Sequence, residues 1–227
     1  MATTDTHNFN LDLNLLVEEA FERCGTELRT GYDLRTATRS LNLLTIEWAN
    51  RGINLWTVEQ GEIALVSGTA TYNLPATTID LISQVIRTGT GTQQSDIAIS
   101  RVSNPTYASI PSKNDTGRPI QVYIDRQAAV PKVTFWPIPD DTQTYTFVYW
   151  MLKRIDDAGT GVNTQHVPFR FLPCLVAGLA YYLSIKIPEA GERTQFLKAE
   201  YEEQWLLAST EDREKATEII APRNTYI

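Results

Sequence analysis

Cysteine and histidine are scarce in this chain, which has two of each: Cys24 and Cys174, His7 and His166. Two cysteines make no disulfide framework, and neither lies close in sequence to the other or to a histidine, as a zinc site requires. Each falls in an apolar helical pattern and reads as a small buried hydrophobe, a usage that fits a reducing compartment. His7 lies in a polar N-terminal stretch and His166 in a loop before Pro168. No two histidines share a helix face, and no Gly-x-Ser-x-Gly elbow is present. The neighbouring carboxylates Glu18/Glu19 and Glu202/Glu203 diverge on a helix instead of converging on a substrate. Asp140/Asp141 and Asp156/Asp157 read as turn residues. The stretches Thr88–Thr92 and Ala158–Gly161 lack the Gly-Lys-Ser/Thr ending of a phosphate loop and read as flexible loops. The expectation is no catalytic residue, no metal site and no cofactor.

Long apolar runs are also missing. The longest, around Leu175–Leu183, is too short to cross a bilayer, and Met1–Asn10 has neither the basic nor the apolar region of a signal peptide. The reading is a chain made and folded in a cytoplasm without a membrane partner. Positive charge is in deficit: 20 Lys and Arg against 27 Asp and Glu give a formal charge of −7. The basic residues are scattered, which excludes wrapping nucleic acid by phosphate neutralisation. An acidic surface repels DNA, a liability in a binder and useful in a conduit.

What the chain does have is a core. Hydrophobic residues are 42% of its 227 residues and charged residues 21%, the composition of a folded chain of one large domain or two small ones. Leu13, Leu16, Val17, Ala20, Phe21 and Cys24 occupy one helix face, with Asn10 or Asp12 to cap it and Gly25 to end it. Leu34, Ala37, Leu41, Leu44 and Trp48 make a second helix from about Asp33 to Gly52, and the short loop between predicts an antiparallel hairpin. The period then changes to two between about Ile63 and Met151. Ile120, Val122 and Ile124, then Val133 and Phe135, then Tyr145, Phe147 and Tyr149 alternate with polar neighbours, as half-buried antiparallel strands do. Helices return with Leu172, Leu175, Val176, Leu179 and Leu183 on one face. A last helix, from about Glu189 to Ser209, carries Phe196, Leu197, Tyr201, Trp205 and Leu206.

The predicted class is α+β: a helical bundle of the N- and C-terminal helix pairs, with an inserted antiparallel β-sandwich or barrel-like block. The bundle takes residues 11–55 and 166–215, the β block 60–155, and an extended C-terminal tail 216–227. Five Trp, ten Tyr and seven Phe exceed what one core of this size needs. Trp56, Tyr107, Tyr123, Trp136 and Trp150 sit near turns or on outward strand positions, and such aromatics favour subunit contacts. The segment Ala221, Pro222, Arg223, Asn224, Thr225, Tyr226 and Ile227 has no helical period. It either docks on a partner or frays. Candidate interaction residues are therefore this tail with Tyr123, Trp136 and Trp150.

Four stretches carry a resemblance. They are the opening helix Leu13–Phe21 with the second helix ending Glu47-Trp48-Ala49-Asn50-Arg51-Gly52; then Thr71-Tyr72-Asn73-Leu74-Pro75; then Gly117-Arg118-Pro119-Ile120-Gln121-Val122-Tyr123 with Phe135-Trp136-Pro137-Ile138-Pro139 and Tyr145–Tyr149; and last Leu175–Leu183. In this order and spacing the chain, from about Leu11 to Ser209, resembles the head-to-tail adaptor group of phage proteins (tail tubular protein A-like head–tail connectors). The resemblance implies a structural virion protein in the tail or neck, not an enzyme. It further implies a ring of itself, a dodecamer, bound to the portal protein on one side and to tail nozzle or tail fibre proteins on the other. DNA would pass through the ring without sequence-specific binding. The alternative is a carbohydrate- or receptor-binding β module of a virion, which needs Tyr123, Trp136 and Trp150 as an aromatic platform. A virion hydrolase is a remote third.

Overall fold

A computed structural model of the chain describes residues 5–6, 9–52, 55–126, 129–160 and 162–213. In chain order its elements are α1 (Leu13–Cys24), α2 (Gly31–Arg51), β1 (Val58–Ala64), β2 (Thr71–Asn73), β3 (Thr78–Thr88), β4 (Ser95–Ala98), β5 (Ser100–Val102), α3 (Asn104–Ala108), β6 (Gln121–Asp125), β7 (Lys132–Trp136), β8 (Tyr145–Lys153), α4 (Leu172–Ser184) and α5 (Thr194–Glu211). The chain is α+β and divides into two compact units, Met1–Trp48 with Asp157–Ile227, and Ala49–Asp156.

The first unit is helical. Asp12 caps α1 by accepting the Leu15 N–H at 2.9 Å. Gly25, left-handed at φ +81, ends it as the Thr26 N–H returns to the Phe21 carbonyl. The buried face of α1 is the predicted one, Leu13, Leu16, Val17, Ala20, Phe21 and Cys24. Helix α2 starts two residues before Asp33, because Thr30 and Asp33 cap each other. The Thr30 N–H donates to the Asp33 carboxylate at 3.0 Å and the Asp33 N–H to the Thr30 hydroxyl at 3.2 Å. A 3-10 turn over Phe169–Phe171 leads into α4, which is buried nearly all round, as an apolar helix without a polar face must be.

Two expectations about the helices change. Helix α1 makes its closest helix contact with α4 and not with α2, and α4 in turn packs on α5. Gly178 lets α5 approach α4 at Tyr201, and the Ala180 carbonyl accepts from Cys24 of α1, whereas α2 reaches its neighbours through the long side chains of Leu44 and Trp48. Helix α5 begins at Thr194, after a 3-10 segment over Pro188–Arg193, and its buried residues are Leu197, Tyr201 and Ala208. Phe196 and Leu206 fall off that face and are 69% and 64% exposed.

The second unit holds two four-stranded sheets, ordered β1-β8-β3-β4 and β2-β7-β6-β5. Alternate residues from both meet in one apolar cluster, Ile86, Phe147, Tyr149 and Met151 from the first, Val122, Ile124, Val133 and Phe135 from the second. Phe135 and Phe147 meet edge to face across it at 4.9 Å. Ile120 lies outside β6 and is 43% exposed. One pairing departs from the antiparallel expectation: β5 and β6 run parallel, and the connection that parallel strands need contains α3. Ser103 caps α3 and Pro105 stands in its first turn, a start signal present in the sequence but hidden inside a strand block.

Candidate interaction surface

Strand register decides what the predicted aromatics share. In the β6–β7 pair Gln121 faces Trp136 and Tyr123 faces Thr134, so Tyr123 and Trp136 lie on one face of the sheet, opposite the core residues Val122, Ile124, Val133 and Phe135. Both are half-buried, because the connection between β5 and β6 lies against them. Tyr107 of α3 stacks on Tyr123 with ring centroids 5.4 Å apart and planes 12° from parallel. The Trp136 indole N–H donates to the Ser112 carbonyl at 2.8 Å. Trp150 belongs to β8, between Gln60 of β1 and Ser83 of β3, and so to the other sheet. The three aromatics therefore do not share one platform. Alternation fixes which face of a strand a residue takes, not which sheet the strand joins. Ala221–Ile227 and His7 lie outside the described residues.

The same connection brings two parts of the third resemblance-bearing stretch together. The Gly117 N–H donates to the Ile138 carbonyl, and the Ile138 N–H to Asp115, both at 2.8 Å; the Ile120 N–H reaches the Trp136 carbonyl at 3.1 Å. Gly-Arg-Pro and Trp-Pro-x-Pro thus form one structural feature, with the Trp136–Pro137 peptide in the cis form. Toward the C-terminal end of β6 a cleft of 680 Å³ is lined by Tyr123, Arg101, Asp125 and Arg126. Both arginines bind Asp80 of β3, Arg101 at 2.9 Å, so neither cation is left to recruit an anion. Burial pushes the Asp80 carboxyl up. Hydrogen bonds from the Leu81 N–H, Arg101 and Arg126 outweigh it and hold the carboxyl below the ordinary carboxylate range.

The polar residues weighed for chemistry have local roles. Asp140 accepts from the Thr142 hydroxyl at 2.8 Å and the Tyr145 hydroxyl at 3.0 Å, which hold its carboxyl below the usual range and make it a turn residue. His166, Asp156 and Asp157 are exposed. Among the described residues no group of three or more His, Cys, Asp or Glu side chains is placed to hold a metal ion. Cys24 donates to the Ala180 carbonyl at 3.3 Å; burial pushes its pKa up to about 11, against the pull of the Arg193 charge. Cys24 and Cys174 are 2% and 1% exposed. A thiol with a raised pKa and no access is inert. We therefore expect a colorimetric disulfide reagent at about pH 8 to find no reactive thiol in the native chain and two after denaturation. Rapid native labelling would contradict this burial.

The surface that sequence reading missed is apolar and helical. On α1 the exposed positions Leu15, Glu18 and Glu22 form one strip, bordering a groove of 920 Å³ whose apolar lining includes Phe9, Phe169 and Pro173. On α2 the exposed positions Tyr32, Arg35, Arg39, Leu43 and Ile46 form another. The signal was available. Leu15, Leu43 and Ile46 stand off the core periodicity of their helices, and apolar residues off that face mark contact sites.

Half-buried strand aromatics and exposed apolar helix strips are features that favour contact with other proteins. The family description of the SU10 adaptor protein matches residues 16–223, and the chain belongs to that family of phage head–tail adaptors. No curated protein matches it. The chain is accordingly a structural phage adaptor of the virion, built to interact with other virion components, in agreement with the resemblance read from its sequence. Among the described residues no helix is long and apolar enough to cross a membrane.

Proposed function

We propose that the chain is the subunit of an adaptor ring, a dodecamer, that joins the portal to the tail nozzle or fibres and lines part of the DNA channel. The observation that carries this reading is the family match over 16–223, which takes in the helical elements and the whole strand block together. In this reading the helical segments 11–55 and 166–215 pack as a bundle, side by side around the ring. The strand block 60–155 is a sandwich or barrel, and the tail 216–227 docks on the portal through Ala221–Ile227. Tyr123, Trp136 and Trp150 serve contacts with the nozzle or fibre proteins.

The charge supports a conduit. Twelve copies at −7 each carry a formal charge of about −84, which keeps DNA off the wall without reading its sequence. The same repulsion opposes assembly of the ring by itself, so the ring forms on the portal. The test is to mix the purified chain with its portal and image the product by electron microscopy. The expected result is a ring capping the portal, with a chain lacking Ala221–Ile227 binding more weakly. A chain that stays monomeric and never joins the portal overturns the proposal, and undiminished binding of the truncated chain discards the role of the tail.

A further inference from the structure

The two exposed helix strips of the first unit are complementary in charge and in order. Along α1 from its N-terminal end the groove is apolar at Phe9, Leu11 and Leu15 and then acidic at Glu18, Glu19 and Glu22. Arg23, the cation of this groove, is held by Glu19 at 3.0 Å and Glu200 at 2.7 Å, which leaves the rim acidic. Along α2 the strip is basic at Arg35 and Arg39 and then apolar at Leu43 and Ile46, the last two 53% and 49% exposed. Arg39 bonds Thr36 of its own helix at 3.3 Å, and among the described residues no ion pair holds Arg35 or Arg39. Both strips are exposed in the same compact unit and share no residue, so neither covers the other within one chain.

We propose that the α1 groove of one copy receives the α2 strip of the next copy, with the two helices antiparallel. The spacing fits this register. A helix rises about 1.5 Å per residue, so with Leu15 as origin Glu18 and Glu22 lie about 4.5 and 10.5 Å along α1. With Leu43 of the neighbour set over Leu15, Arg39 and Arg35 lie about 6 and 12 Å along in the same direction, within about 1.5 Å of their acidic partners. Ile46 then extends the other way, toward Phe9 and Phe169. Parallel docking puts the arginines over the apolar end and loses both matches. Because groove and strip are different surfaces, the contact is head-to-tail, the kind that propagates around a ring.

This pairing rests on the ring reading, and the experiment separates the two. Full-length chains carrying Glu18→Lys with Glu22→Lys, or Arg35→Glu with Arg39→Glu, are each mixed with portal and imaged beside the unaltered chain. All four positions are partly or fully exposed, and circular dichroism checks that each variant is folded. Each double variant is expected to lower ring occupancy about tenfold or more, since like charges then face each other across the contact. An equimolar mixture of the two double variants, and a single chain carrying all four changes, restore it, which a merely structural role of these residues does not predict. Independently, a chain with Leu15→Cys and Leu43→Cys forms a covalent ladder of copies when oxidised on the portal. If the unaltered chain makes no ring, the ring reading and this pairing fail together. If rings form but ignore both reversals and no ladder appears, the pairing alone is wrong and the groove serves another occupant.

Discussion

Replacing Trp48 with alanine is expected to lower the stability of the helical unit by about 3–5 kcal/mol, the range for a large aromatic removed from a closed core. Trp48 is fully buried, and it joins α2 to two other elements of that unit, the 3-10 turn over Phe169–Phe171 and α5. Its ring packs 5.5 Å from Phe171 and 5.3 Å from Trp205, and its indole N–H donates to the Tyr201 hydroxyl at 3.0 Å. An aromatic side chain buries roughly 150–250 Å², which at about 25 cal/mol per Å² is of the same size as the expected loss. Domains are stable by only about 5–15 kcal/mol, so the variant is left with little reserve. The Trp48→Phe variant keeps the ring contact and loses the indole donor. Tyr201 retains Glu47 at 3.4 Å, so this variant should lose little beyond a net hydrogen bond, about 0.5–1.5 kcal/mol, plus the smaller ring. Urea unfolding followed by far-ultraviolet circular dichroism reads both. If Trp48→Ala unfolds at the midpoint of the unaltered chain, the four-way aromatic contact does not hold the unit together.

Much of this interior was legible because periodicity reports burial directly. The face of α1 matches residue for residue, and Trp48, Leu44 and Leu41 of α2 are all 0% exposed. Val122, Val133, Phe135, Tyr145, Phe147 and Tyr149 turn inward as alternation requires. What periodicity does not encode is partnership between elements distant in sequence. The placement of Trp150 away from Tyr123 and Trp136, the parallel β5–β6 pair, and the choice of α4 over α2 as neighbour of α1 all depend on such pairings. Strand β8 adds a different lesson. Val148 and Leu152, on its second face, are buried too, so its alternation of exposure is weaker than its alternation of sequence. In α5 the expected stripe mixed two faces, because Phe196 and Leu197 are a hundred degrees apart on a helix and only one can turn inward.

Gly178 stands at one of those long-range approaches, and its replacement by leucine is the second large effect. It lies in the middle of α4, where glycine is worse than alanine by about 0.8–1 kcal/mol of helix propensity. The packing accounts for its presence. A Cβ at this position would stand 2.9 Å from Leu44 Cδ2 on α2 and 2.9 Å from Tyr201 Cε2 on α5. Leu44 and Tyr201 are 0% and 1% exposed, so neither side chain can swing into solvent to make room. For Gly178→Ala the propensity gain and the steric cost oppose each other. The cost prevails, because two fully buried neighbours on two different helices must move at once, and a net loss of about 1 kcal/mol is expected. Gly178→Leu adds three more carbons to the same space and should reach or pass the upper end of the roughly 1–3 kcal/mol range for overpacking. It also pushes Tyr201 away from Trp48, so its effect and that of Trp48→Ala should fall short of additive in the double variant, as neighbours sharing a contact do. The measurement is the urea midpoint of the two single variants, the double variant and Gly178→Ala. A gain in stability for Gly178→Ala would mean that α2 and α5 can yield at this point, and full additivity would mean that Gly178 and Trp48 do not act through Tyr201.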